Sequence, residues 1–571
     1  MSRRAAAGVG IWLGRLGALA ALAVTLAILG FYASRLSMPL PIYASDEAAY
    51  LIRALYPDDV VARNPAVTMI TNGVHLSVIR AAYETGGPYI IIDRIADALA
   101  YLGGMVVLWR IGTRGLARRD QAALLMLALG FAYWRFAASN LAEGLFVGVL
   151  ALICWVTQRW WRARPMVHAL AAGALMAALV LVKPHGLAVA AGLAAVAIAD
   201  AAIGRDWRRV AIRIAIFAPA FFLVGNLIQR GAQEPVANPF TFFMSQFYAS
   251  ALGQMTVPNA ATLALQALGG MVAACAVLAG TPLVAGGVEI VERWRLRGRD
   301  FRLAPRDVVF LLLAGSLAAT LVMVAIFAFK VASSPGETQR LWGRYFEFYA
   351  PVLWLAAAPA IARPQGHRTA LACGAVTLVG LGGLLSVLQG GVVLFPWDAS
   401  VLTAFFESDP VRAPLNFPVP YRALAAGTTL LAAIAYALRG RATYVGLALV
   451  LVLSALSTWQ DYVWVGAMVK YRNALERDVR RIWPALPPEP AAIALLTPDA
   501  NVGHLGFLRL HARPTVVLSP SDWPMAVTGA EAVVMGGPDA PPGGPWREVY
   551  KGQELSLWRR APTPPPLPET P

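Results

Sequence analysis

The chain has 571 residues, of which 58% are hydrophobic and only 14% charged, with a mean hydropathy of +0.59. A soluble protein of this size carries about 25% charged residues, so the composition excludes an ordinary soluble enzyme and points to an all-α polytopic membrane protein. The net charge of +16 would suit nucleic acid, but the arginines gather in short loops between apolar runs, as topology demands, so no nucleic-acid partner is expected.

Runs long enough to cross a bilayer recur at about 10–32, 89–110, 120–139, 141–158, 166–182, 185–203, 210–228, 260–290, 307–330, 345–362, 368–391, 421–438 and 442–462, about thirteen transmembrane helices in all. The run at 260–290 is long for one crossing, which tilt would accommodate. The N-terminal run follows Arg3 and Arg4 and is read as an uncleaved first helix rather than a signal peptide. With this count, Arg114, Arg118 and Arg119, then Arg159, Arg162 and Arg164, then Arg205, Arg208 and Arg209, then the arginines from Arg293 to Arg302, and finally Arg363, Arg368, Arg439 and Arg441 all fall on one side. That side is read as cytoplasmic, with the N-terminus there and the C-terminus external. The arginine-rich composition suggests a bacterial inner (plasma) membrane, so the external side is periplasm. Longer polar segments lie on that side, at about 33–88, 230–258, 331–344, 392–420 and after 463.

After residue 463 the pattern changes. Residues 491–496, 515–518 and 532–535 read as strands, and 546–550 with 555–558 as a hairpin, punctuated by Pro and Gly. The domains expected are a transmembrane catalytic module at 1–465, which includes the external loop 33–88, a small external α/β domain at 485–560, and a Pro-rich disordered tail at 561–571. Cys154, Cys275 and Cys373 lie far apart inside apolar runs and suit neither disulfides nor a metal. His75, His504 and His511 show no ligand spacing.

Four segments carry candidate chemistry. Ser45-Asp46-Glu47 opens a predicted amphipathic helix that Pro57 stops, with Ser45 as N-cap and both acids in the first turn. Asp46, Tyr50 and Arg53 share one face, and Ala48, Leu51, Ile52 and Leu55 share another, expected to rest on the bundle. The plain alternative is that both acids merely cap the helix. Glu143 stands at the external mouth of the fourth span, where a carboxylate needs a partner, a cation or water. Lys183-Pro184-His185 forms the external turn between the fifth and sixth spans. Arg340 and Arg344 open the tenth span, and Arg344 and Glu347 have the spacing of a helical ion pair. Cations at this depth suit a phosphate, and snorkelling to lipid phosphate is the plain alternative for each.

These residues together resemble a family. A cytoplasmic N-terminus, one span, and an external loop opening with Asp46-Glu47 and an aromatic three residues on is similar to the polytopic GT-C glycosyltransferases, the branch of protein O-mannosyltransferases, the lipid A aminoarabinose transferase and bacterial lipopolysaccharide transferases. Tyr133-Trp134-Arg135-Phe136 leading to Glu143-Gly144-Leu145-Phe146 resembles the stretch around that family's second external loop. Lys183-Pro184 resembles its turn between spans five and six, and Gly343-Arg344-Tyr345 its later Arg-Tyr motif. The match covers roughly 1–365, and an external C-terminal α/β domain recurs in some members. The chain departs from the pattern in having no second Asp-Glu pair.

The resemblance implies a GT-C-like fold and a glycosyltransferase, hexosyl- or pentosyl-, that takes sugar from a polyprenyl-phosphate donor to a lipid, glycan or protein acceptor with inversion. It implies Asp46 as base and Glu47 beside it. Tyr50, Arg53, Glu143, Lys183, His185, Arg340, Arg344 and Tyr345 would bind substrate, with the cations on the departing phosphate. A divalent cation (Mg or Mn), where one is used, would fall to Asp46, Glu47 and Glu143. Charges at membrane depth also suit a transporter or flippase, and a polysaccharide ligase using a lipid-diphosphate glycan is a third reading.

Overall fold

The computed structural model describes residues 3–39, 41, 44–67, 70, 72–232, 260–330, 340–392, 394, 398–406, 420–537 and 539–561. In chain order the helices are α1 (Arg3–Leu36), α2 (Ala44–Leu55), α3 (Asp58–Val61), α4 (Gly73–Glu84), α5 (Tyr89–Gly112), α6 (Arg118–Leu129), α7 (Trp134–Ala137), α8 (Glu143–Trp160), α9 (Pro165–Val182), α10 (Gly186–Gly204) and α11 (Trp207–Gly231). They continue with α12 (Ala260–Arg297), α13 (Pro305–Lys330), α14 (Tyr349–Ala356), α15 (Ala358–Ile361), α16 (His367–Gln389), α17 (Tyr421–Ala437), α18 (Ala442–Ile482), α19 (Ala500–Arg509) and α20 (Trp523–Thr528). The strands are β1 (Ile493–Leu496), β2 (Thr515–Val517), β3 (Ala532–Gly536), β4 (Trp546–Lys551) and β5 (Leu555–Arg560).

Eight of the described helices are long and apolar enough to cross a bilayer. Most of the predicted spans coincide with one helix each, and two do not. The run at 120–139 is a twelve-residue helix, α6, that ends at Gly130 and is followed by the single turn of α7. The run at 345–362 is broken into α14 and α15, because Pro359 lacks the N–H that would continue the helix. Both segments are apolar, and in both the helix is interrupted. The long run at 260–290 is one helix, α12, of 38 residues.

The chain divides into two compact units. The first holds residues 1–38, 71–75 and 91–463, and the second holds 39–70, 76–90 and 464–571. Much of the 33–88 loop thus clusters with the C-terminal segment, whereas the sequence groups it with the transmembrane module. The tail at 562–571 lies outside the described residues.

The first unit is a bundle of apolar helices with charged side chains buried inside it. Asp461 of α18 receives Arg35 of α1 at 2.6 Å and the Nε of Arg135 of α7 at 3.2 Å, and all three side chains are fully buried. Such charges persist in low dielectric only when paired.

The second unit is built on a five-stranded sheet of order β2-β1-β3-β5-β4, parallel through its first three strands and antiparallel thereafter. Alternation sorts its side chains. Ile493, Leu495, Ala532, Val534, Leu555 and Leu557 face one cluster, and Ala494, Leu496, Val533 and Met535 face the other. The first cluster also takes in Ala48, Leu51 and Ile52, so the apolar face of α2 packs on α19 within this unit, where the sequence reading had it resting on the bundle. Leu505 and Leu508 of α19 supply the matching apolar surface. The α2 helix begins at Ala44, one residue before the expected Ser45 cap. Asp499 caps α19 by accepting from the N–H of Asn501 at 2.7 Å.

His504 of α19 is buried and hydrogen-bonds Asn64 at 3.0 Å. Burial pulls its imidazole down to about 4 from the ordinary 6.5, against the opposing pull of Asp46. The folded state therefore favours the neutral ring. Its contribution is complete above pH 6.5 and is lost as pH falls toward 4, amounting to roughly 3 kcal/mol in full. We expect hydrogen-exchange protection of β1 and α19 to weaken over that window in wild type and to stay flat there in His504→Asn.

Candidate active site

Within the first unit the structure brings together five of the sequence-predicted residues. Glu143 opens α8, Lys183 closes α9, His185 precedes α10, and Arg344 and Tyr345 sit in a short 3-10 turn, Gly343–Tyr345. Glu143 receives the ammonium of Lys183 on Oε1, and the Nε of Arg344 lies 3.4 Å from the same oxygen. All three side chains are more than nine-tenths buried. Two cations thus share one carboxylate, which leaves the group with one positive charge in an apolar setting.

Aromatic rings wall this group. His185 stacks on Tyr345 with centroids 4.3 Å apart, and the Tyr345 ring lies 5.8 Å from the Lys183 nitrogen and 5.2 Å from the Arg344 guanidinium carbon. Phe146 and Tyr133 pack edge-on against Phe348 and complete a small pocket. Tyr133 donates its hydroxyl to the Arg344 carbonyl at 2.9 Å and so ties the backbone of the 3-10 turn to the start of α7.

The position of Glu143 is set from α5. The helix α8 starts after Ala142, which is in the left-handed region at φ 65°, and no side chain of its own caps it. Asp97 supplies the cap from outside, accepting the N–H groups of Gly144 at 2.8 Å and Leu145 at 2.7 Å. Orphan amides at a helix start need such an acceptor. Gly144 is required there, because a Cβ would run into the Asp97 backbone carbonyl. One turn earlier on α5, Asp93 accepts from Asn140 at 2.7 Å and lies 3.4 Å from His75.

The turn bearing Arg344 is held by residues 398–402. Arg340 forks onto both oxygens of Asp398, and its guanidinium carbon lies 4.1 Å from the Trp342 ring. The Arg344 N–H donates to the Asp398 carbonyl. Glu347 accepts from the hydroxyl and N–H of Ser400 and, at 2.9 Å, from the N–H of Leu402. Arg344 therefore reaches Glu143, while Glu347 is taken up by the 400–402 backbone. The expected Arg344–Glu347 helical pair gives way because each side chain has another partner, Glu143 for Arg344 and the Ser400–Leu402 segment for Glu347. Arg135 donates to the Ala399 carbonyl and the Ser457 carbonyl, both at 2.9 Å, linking this segment to Asp461.

Asp46, Glu47, Tyr50 and Arg53 belong to the second unit, on α2. Glu47 is fully buried, Asp46 and Tyr50 are half-buried, and Arg53 pairs with Asp58 at 2.7 Å. Among the described residues, no group of three or more His, Cys, Asp or Glu side chains is placed to hold a metal ion, so no metal site is assigned.

Sequence reasoning missed Asp93 and Asp97, although two carboxylates four apart inside an apolar run are themselves a signal. It also missed Tyr133 as a backbone tether, and Asp398 and Asp461, whose roles depend on partners hundreds of residues away.

No family model matches the chain, and no curated protein matches it. Among solved structures it is similar to the crystal structure of ArnT from Cupriavidus metallidurans in the apo state, at 19% identity over 98% of this chain and 100% of that one, with a TM-score of 0.47. It is similar to the same protein bound to undecaprenyl phosphate, at 18% identity over 95% and 99% of the two chains, with a TM-score of 0.48. The arabinosyltransferase EmbB from Mycobacterium smegmatis aligns at 14% identity over 85% of this chain and 42% of that one, with a TM-score of 0.38.

The buried ion network behind the site sets a first expectation. Asp461→Asn leaves Arg35 and Arg135 without their carboxylate, a loss of about 3–5 kcal/mol for a buried pair broken on one side. Thermal unfolding of the detergent-solubilised protein should show a marked fall in Tm. An unchanged Tm would mean that the network carries little of the bundle's stability.

Proposed function

We propose that the chain is an integral-membrane glycosyltransferase that moves a sugar from a polyprenyl-phosphate donor to an acceptor hydroxyl at the external face of a bacterial inner membrane. The observation that carries this reading is the convergence of Lys183 and Arg344 on Glu143, at the turn between two apolar helices. A cationic group in a nearly dry aromatic pocket, reached from within a helix bundle, suits the phosphate of a lipid rather than a freely soluble anion. The order of motifs described in the sequence supports the same reading.

In the proposed reaction the acceptor oxygen attacks the anomeric carbon of the sugar while the carbon–oxygen bond to the phosphate breaks. The phosphate leaves with the electron pair. Charge grows on its oxygens in the transition state, and fixed cations lower the barrier most where charge develops. Lys183 and Arg344 are proposed to take that charge, with Arg340 holding the Arg344 turn through Asp398. The Glu143 carboxylate keeps the two cations oriented and their charge from being excessive before the donor arrives. His185 and Tyr345, stacked, form the wall against the sugar or the first prenyl unit. The acceptor proton passes to Asp46, a role that rests on the place of Asp46 in the acidic motif and on its partial exposure beside a buried Glu47. Backside attack gives inversion at the anomeric carbon.

Purified protein with a panel of polyprenyl-monophosphate sugars and a membrane extract as acceptor tests this directly. Wild type should release polyprenyl phosphate with at least one donor. Arg344→Met and Lys183→Met should lose about 10²–10³ in rate, and Asp46→Asn about 10²–10⁴. Absence of release with every donor, or transfer by Asp46→Asn at the wild-type rate, would count against the reading or against the base respectively.

A further inference from the structure

A second charged pocket lies at the other end of the same helices. Lys183 follows the last residue of α9, and Arg162 stands just before its first, Pro165. An 18-residue helix is about 27 Å long, close to the roughly 30 Å of a bilayer's hydrocarbon core. The α10 helix runs back the same way, from His185 to Gly204. A cavity of about 140 Å³ opens there, lined by Arg162, Arg209, Arg213 and Arg302 together with Asp200 and Asp206. A single water needs only about 10–15 Å³ on this measure, so the cavity has room for a polyatomic group.

The charges do not balance within the cavity, since four guanidinium groups face two carboxylates. Both carboxylates are engaged already. Asp200 accepts from the Trp161 indole at 2.9 Å and from Arg162 at 3.1 Å. Asp206 accepts the Arg209 N–H at 3.1 Å and faces its Nε at 3.0 Å. Arg213 is 7% exposed, lies flat on Trp161 with its guanidinium carbon 3.7 Å from the ring centroid, and donates to the Trp161 carbonyl. That stack fixes the fork in place, and its Nε is buried with no hydrogen-bond partner among the described residues. The Nε of Arg162 is in the same condition. A buried donor without an acceptor costs about 1–3 kcal/mol.

We infer that this cavity is a phosphate-binding site, separate from the Glu143 group and at the opposite end of α9 and α10. Guanidinium forks match the tetrahedral oxygens of a phosphate better than a lysine would. Its depth at the helix ends places it at headgroup level, so the phosphate is supplied either by an anionic lipid of that leaflet or by free phosphate. The site would fasten α9 and α11 to the membrane surface or to a soluble anion, and it takes no part in sugar transfer.

Binding is measured on the full-length protein by native mass spectrometry with short-chain phosphatidic acid, with phosphatidylcholine as the neutral control. Two variants are compared, Arg213→Met and the double variant Arg209→Gln with Arg302→Gln. The double variant changes only exposed side chains, so it keeps the test valid if Arg213→Met does not fold. Wild type should bind phosphatidic acid saturably beyond the phosphatidylcholine level, and the double variant about tenfold more weakly. Competition by millimolar inorganic phosphate would identify free phosphate as a sufficient ligand, and its failure to compete would identify the lipid headgroup. Release of polyprenyl phosphate should be the same in wild type and double variant, which separates this site from the catalytic reading. Equal phosphatidic acid binding by wild type and double variant would overturn the inference.

Discussion

One carboxylate, Glu143, is shared by two cations, and all three side chains are more than nine-tenths buried. Charges buried this way are costly unless geometry repays their desolvation, so each element around the group is placed to satisfy it. Asp97 caps α8 from α5 and fixes where Glu143 begins. Gly144 lets α5 approach closely enough for that cap. The turn after α9 delivers Lys183, and the 3-10 turn at Gly343–Tyr345 delivers Arg344. The positive charge of the pair of cations exceeds the negative charge of the one carboxylate they share, which is the ground of the proposed phosphate site.

Behind this group stands a layer of buried polar contacts. Residues 398–402 accept from Arg344 and Arg135 and donate to Glu347, and Arg135 in turn pairs with Asp461 and so with Arg35. Partners of this network come from α1, α7 and α18, which are far apart in sequence. A partly satisfied network in low dielectric costs more than an apolar one. Its contacts hold the Arg344 turn in place from several helices at once.

How much of this was legible in the sequence follows from the range of each interaction. Most of the apolar runs, the strands expected at 491–496, 515–518 and 532–535 and the terminal hairpin follow from local periodicity, and they formed within about two residues of those strand bounds. Glu143, Lys183, His185, Arg344 and Tyr345 could be singled out because charges and stacked aromatics at the ends of apolar runs are rare. What brings them together could not be read, since Asp97 looks like one more residue of a span and Asp398 like one more loop acid. The interruptions within 120–139 and 345–362 were not legible, because hydropathy averages over a run and does not mark where its helix breaks. The amphipathic face of α2 was legible, but its partner was not, because an apolar stripe does not name the surface it covers.

The central claim is that Lys183 and Arg344 hold the phosphate of a polyprenyl lipid. Equilibrium binding of polyprenyl monophosphate itself, without sugar or acceptor, isolates that claim from every later step. Native mass spectrometry of the purified protein should find the lipid retained by wild type and by Asp46→Asn, and largely lost from Lys183→Met and Arg344→Met. Retention by all four proteins alike would place the phosphate elsewhere and contradict the account.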